Sequence, residues 1–207
     1  MMKIETSLEK IVVSVILFTG ITLVFYAIFY GVGLTNDSRN YLFAAQSFSE
    51  QGKLLMIGNK PFAEWTPLFP IFLSLFGKSA LFLSTYIQPF IFGLTLFIWT
   101  KIISKLIKSK TLQIICFASI AFATPLILIH SFLWSEGLFL LLLSLQVLLL
   151  YDYLENQNFK TLIWLIILAF FYCLQRNTGV FFSLGIALTI LLFNKYQTLP
   201  TAFRFGN

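Results

Sequence analysis

Ile11-Val-Val-Ser-Val-Ile-Leu-Phe-Thr-Gly20-Ile-Thr-Leu-Val-Phe-Tyr-Ala-Ile-Phe-Tyr30-Gly-Val-Gly33 runs for 23 residues without a charged side chain. Wound as a helix, about 20 apolar residues cover the hydrocarbon thickness of a bilayer. The run lacks a small-residue cleavage site and exceeds a signal-peptide core in length, so it reads as a retained signal anchor. The rest of the chain agrees. Of 207 residues, 58% are hydrophobic and 11% charged, 25 are phenylalanine, and mean hydropathy is +0.89. Soluble domains carry about 25% charged residues, and a water-soluble fold of this composition would expose apolar patches and aggregate. Disorder, collagen-like repeats and a disulfide scaffold are excluded by the same composition. The class is an integral membrane protein.

Further uncharged or nearly uncharged runs cover residues 79–100, 111–129, 132–151, 161–175 and 177–194. With residues 11–33 they predict an all-α, polytopic membrane domain of six spans over 1–207. Lysine and arginine set its orientation. With the N-terminus in the cytoplasm, Lys3, Lys10, Lys101, Lys105, Lys108, Lys110, Lys160, Lys195 and Arg204 fall inside, and Arg39, Lys53, Lys60, Lys78 and Arg176 outside. That bias accounts for the net charge of +6 without a nucleic-acid partner. Lys101, Lys105 and Lys108 share a helical face; they mark topology or touch anionic headgroups. Cys116 and Cys173 lie in apolar runs and read as small apolar fillers.

This topology leaves one long outer loop, 34–78. Loops of this length in compact folds usually carry function or structure of their own. After Asn36 and Asp37, which are good N-cap types, residues 38–51 place Tyr41, Ala44, Ala45 and Phe48 on one face, and Gly52 follows as a stop. The pattern predicts an amphipathic helix in the membrane interface. A second piece, with Thr66 as cap and Pro67 in its first turn, runs over 68–76.

Charges at span ends are the functional candidates, because each is costly near hydrocarbon. Asp37, Glu136 and Arg176 fall on the same outer face, with Arg39 beside the first. A guanidinium suits a phosphate, and a carboxylate can take a proton from a hydroxyl. Plainer roles stand beside these: Asp37 as a helix cap, Glu136 as a carboxylate on a helix dipole, Arg176 as a boundary marker. His130 reads as a polar loop residue, because the further ligands a metal needs are not evident. Trp65, Trp99, Trp134 and Tyr151 fit interfacial belts. Walker, dinucleotide, nucleophile-elbow and His-Glu-x-x-His motifs are missing from the sequence.

Four stretches, Asp37-Ser-Arg-Asn-Tyr41-Leu-Phe-Ala-Ala, Trp65-Thr-Pro67-Leu-Phe-Pro70, Ser135-Glu136-Gly-Leu-Phe-Leu and Arg176-Asn177-Thr178-Gly179, stand in order along the chain. Together they resemble the polyprenyl-phosphate-dependent glycosyltransferases of the GT-C superfamily, of the dolichyl-phosphate-mannose mannosyltransferase and aminoarabinose-transferase type. The resemblance implies Asp37 as catalytic base and Glu136, Arg176 and Arg39 as substrate-binding residues, with the interfacial helices shaping a cavity. It implies inverting transfer of a sugar from a polyprenyl-phosphate donor to a glycan, lipid or protein hydroxyl. Asp37 is followed by Ser38 where many relatives carry a second acid, so no metal or other cofactor is expected. Members of this superfamily usually have nine to thirteen spans, which makes this chain the expected N-terminal part of a longer enzyme. A Lys-, Ile-, Asn- and Phe-rich composition suits a bacterial plasma membrane. The rival expectation is a small permease or membrane assembly subunit.

Overall fold

A computed structural model describes residues 2–198, with side chains from Lys10 to Phe193. Lys3, Lys195 and Arg204, from the set expected inside, therefore lie outside the described side chains. The helices are α1 (Met2–Ala27), α2 (Asn36–Gln51), α3 (Leu68–Ser74), α4 (Ala80–Leu106), α5 (Lys110–Ala121), α6 (Thr124–Ser131), α7 (Glu136–Asn156), α8 (Phe159–Gln175) and α9 (Thr178–Thr198). A two-residue antiparallel ladder, β1 (Leu55–Met56) with β2 (Lys60–Pro61), lies in the loop between α2 and α3.

Four helical stretches are long and apolar enough to cross a membrane: Lys10–Ala27, Gly77–Leu106, Lys110–Ser131 and Glu136–Asn156. The other two expected spans coincide with shorter apolar helices, Phe159–Gln175 and Thr178–Phe193. Phe18, Phe90, Phe170, Phe181 and Leu191 stand exposed around the bundle. In water that belt would drive association; against lipid it is the matching surface. Hydroxyls in the helices turn back on their own backbone. Thr19 and Thr22 donate to Val15 O and Phe18 O at 2.8 Å each, and Ser84 and Thr95 do likewise to Ala80 O and Ile91 O. In hydrocarbon a hydroxyl has no water to bond, so it takes the carbonyl one turn back.

Two cores hold the chain. One joins α1, α4 and α5 through Val24, Phe92, Leu96, Ile103, Phe117 and Ala121. Here α1 and α4 approach closely: a Cβ on Gly93 would stand 2.8 Å from Ile21 Cδ1. Small residues at such crossings matter because lipid supplies no hydrophobic drive between spans. The other core joins the loop to the bundle end through Val32, Tyr41, Ala45, Phe69, Leu73, Ala80 and Leu133. Burying each of its large side chains from water contributes about 1.5–3 kcal/mol.

Several expected boundaries move. The first span does not run to Gly33. α1 ends at Ala27, and the chain turns at Gly31 (φ +120), a conformation that disfavours any other residue. The third span is broken after Ala121. Pro125 has no N–H for Ala121 O, so the helix restarts with Pro125 in the first turn of α6. The fourth expected span becomes α7, which begins at Glu136 rather than 132, because Phe132 is used in a backbone bridge to Gly33. The α2 helix lays its apolar face on α3 and the bundle rather than on a bare interface. Lys108 lies beyond the end of α4, so it shares no helical face with Lys101 and Lys105. Lys105 itself pairs with Asp152 at 2.9 Å and Glu155 at 3.6 Å on α7.

Candidate functional site

The site starts from two stretches of backbone that meet at Gly33. Gly33 N–H donates to Ser131 O at 2.9 Å, and Leu133 N–H donates to Gly33 O at 2.9 Å, a parallel bridge between Gly33 and Phe132. A Cβ on Gly33 would stand 2.6 Å from the Phe132 ring, so only glycine allows the approach. Asp37 and Glu136 each lie four residues past this bridge. The bridge is therefore what brings two distant stretches of sequence, and their carboxylates, to one place.

Thr35 caps α2, with its Oγ1 accepting from Ser38 N–H and Ser38 Oγ accepting from Thr35 N–H. Asp37 sits in the first turn and is not the cap, and Asn36 is not the cap either. Freed from capping, the Asp37 carboxylate faces the cleft. Trp134 Nε1–H donates to Thr35 Oγ1 at 3.1 Å, with the indole stacked on Phe132 at 4.7 Å between centroids. Thr35, Asn36, Asp37, Tyr41, Trp134 and Glu136 line a cleft of about 360 Å³.

Tyr41, one turn after Asp37, donates to Ser135 Oγ at 3.4 Å, and Ser135 donates in turn to Glu136 Oε2 at 3.5 Å. Burial pushes the Tyr41 phenol above its ordinary value of 10.0. The Ser135 hydrogen bond opposes that, Glu136 and Asp37 add to it, and Arg176 opposes it. The phenol is thus a neutral donor at ordinary pH, held among three charges.

Arg176 follows α8, and its Nη1 lies 2.5 Å from Glu136 Oε1, with side chains 35% and 36% exposed. Its Cζ stands 5.7 Å from the centre of the Phe139 ring. The preceding residue fixes it from both ends. Gln175, fully buried, donates from Nε2 to Ser135 O at 2.7 Å, and Gln175 O accepts from Thr66 Oγ1 at 2.5 Å. Thr66 accordingly does not cap α3, whose N-cap position is Pro67. Gly179 closes the turn after Arg176, with its N–H donating to Arg176 O at 2.8 Å.

The structure brings Asp37 and Glu136 to one cleft and pairs Glu136 with Arg176. An anion that uses Arg176 must compete with Glu136 for it. Arg39 lies about 200° round α2 from Asp37 and is exposed, so it is not part of the cleft lining. Tyr41, Ser135, Trp134 and Gln175 were not singled out as site residues by sequence reasoning. A polar residue ending an apolar run, as Gln175 does, was the available signal. Trp134 walls the cleft, and Trp65 packs on Tyr41 and Phe62. His130 is corrected from a loop residue to a buried one in the last turn of α6. Among the described residues no three His, Cys, Asp or Glu side chains are grouped to hold a metal ion. Comparison with protein-family models, with curated proteins and with solved structures returned no match for this chain.

Proposed function

We propose that the cleft between α2 and α7 is the catalytic site of a membrane glycosyltransferase of the GT-C type. The observation that carries this reading is a single cleft lined by Asp37 and Glu136, with Arg176 in contact with Glu136. In this scheme Asp37 takes the proton of an acceptor hydroxyl as its oxygen attacks the anomeric carbon of the donor sugar. The carbon–oxygen bond to the phosphate breaks, and the polyprenyl phosphate leaves with the electron pair. Arg176 swings from Glu136 to the departing phosphate, while Glu136 and Tyr41 hold sugar hydroxyls. Stabilising charge as it develops is the largest contribution such a site can make. Arg39, on the far side of α2, meets a substrate only before it enters the cleft. A divalent metal has no part in this scheme.

The same reading takes α8 and α9 as the fifth and sixth spans, the N-terminus as cytoplasmic and the cleft as facing outward. It takes a bacterial plasma membrane as the setting. Its test is transfer of labelled sugar from a polyprenyl-phosphate donor to a hydroxyl acceptor in membranes that carry the protein. A second reading, a small permease or assembly subunit, is favoured by Gln88, His130 and Gln146, polar side chains buried within the helices. Movement of the substrate across the membrane without chemical transfer would favour that reading.

A further inference from the structure

Behind the first turn of α7, two buried acceptors face one small space. Gln88 on α4 is 1% exposed, and His130 at the end of α6 is 0% exposed. His130 Nδ1 lies 2.8 Å from Leu126 O, so that nitrogen carries the ring proton and Nε2 presents a lone pair. Gln88 Oε1 and His130 Nε2 are both buried and meet no hydrogen-bond partner among the described residues. They point toward the same place. A Cβ on Gly137 would stand 3.1 Å from Gln88 Oε1 and 3.3 Å from His130 Nε2. The Phe92 ring, 5.0 Å from the imidazole centre, gives the space an apolar wall.

Two acceptors cannot satisfy each other, and a buried acceptor left alone costs about 1–3 kcal/mol. What satisfies both is a molecule of water size with two donors, since an internal water needs two or more polar partners. We propose that one internal water beside Gly137 donates to Gln88 Oε1 and to His130 Nε2. The water ties α4 to α6 against the first turn of α7, one residue from Glu136. It is a binding site separate from the cleft, and it does not depend on what the cleft does.

His130 is the only histidine in the chain, so ring labelling with carbon-13 and nitrogen-15 gives a single set of signals. The experiment measures magnetisation transfer from water to the His130 ring protons in the detergent-solubilised protein. A clear transfer is expected in the wild type, and its loss is expected in Gly137→Ala, whose methyl would crowd both acceptors, 3.1 Å from Gln88 Oε1 and 3.3 Å from His130 Nε2. Gln88→Leu, which removes one of the two acceptors without emptying the volume, is expected to lose it as well and serves if Gly137→Ala does not fold. Absence of transfer in the wild type would overturn the proposal. So would transfer that persists undiminished in either folded variant, or a direct nitrogen–nitrogen coupling between Gln88 Nε2 and His130 Nε2.

Discussion

Arg176 Nη1 stands 2.5 Å from Glu136 Oε1, which joins the end of α8 to the first turn of α7. Both side chains are about one third exposed, so water screens the pair and its direct contribution to stability is modest, about 1 kcal/mol or less. Its value lies in position, because the pair holds a guanidinium beside the cleft.

Exchanging the two charges separates position from stability. Glu136→Arg alone places two guanidinium groups together and should lower the thermal midpoint in detergent. The double exchange Glu136→Arg with Arg176→Glu should recover most of that loss. Sugar transfer should not recover in the double variant, because the guanidinium has moved to α7. Differential scanning of the three variants, beside the transfer assay, checks both halves.

Gly179→Ala should be among the most damaging single methyl additions. The new Cβ would collide with the backbone carbonyl oxygen of Tyr172, which cannot move without unwinding α8. The turn that carries Arg176 would shift as a result. A cost of about 1–3 kcal/mol is expected from overpacking of this kind, read as a lowered thermal midpoint. Gly185→Ala is the control, since a Cβ there meets nothing within 4 Å.

Tyr41 gives a pH signature. Its phenol is raised above 10.0 in the folded state, with burial the main cause. The unfolded chain therefore loses this proton first as pH rises past 10.0, and the folded state loses stability from there up through its own higher value. Below that window the contribution is constant. Unfolding followed across this range should fall less steeply in Tyr41→Phe than in the wild type; equal slopes would mean that Tyr41 is not the buried group.

Phe69 tests the loop core. It is 1% exposed and packs edge-on against Tyr41 at 5.1 Å. Phe69→Ala should cost about 3–5 kcal/mol locally, seen as faster proteolysis of the 34–78 loop while the bundle helices stay protected.

The apolar helices were legible in the sequence because charge-free runs report directly on a lipid environment. The breaks were not, because counting charges does not follow backbone hydrogen bonds. Pro125 and Gly31 were the signals for them. The α2 helix and its face at Tyr41, Ala44 and Ala45 follow from spacing, while Phe48, expected on the same face, is only half-buried. The cap lies one residue before Asn36 and two before Asp37, since Thr35, Asn36 and Asp37 are all good capping types and only geometry chooses among them. That Asp37 and Glu136 share a cleft depends on a bridge of one residue pair, Gly33 with Phe132, which has no periodicity to read. Reading topology alone placed them on one face; their meeting required the fold.

The central claim is that Asp37 acts as the base in a transfer reaction. The most direct measurement compares sugar transfer from a polyprenyl-phosphate donor in membranes carrying wild-type protein or Asp37→Asn, at equal protein amount and equal thermal midpoint. Loss of a positioned base should reduce transfer about 10²–10⁴-fold. Undiminished transfer by Asp37→Asn would contradict the account.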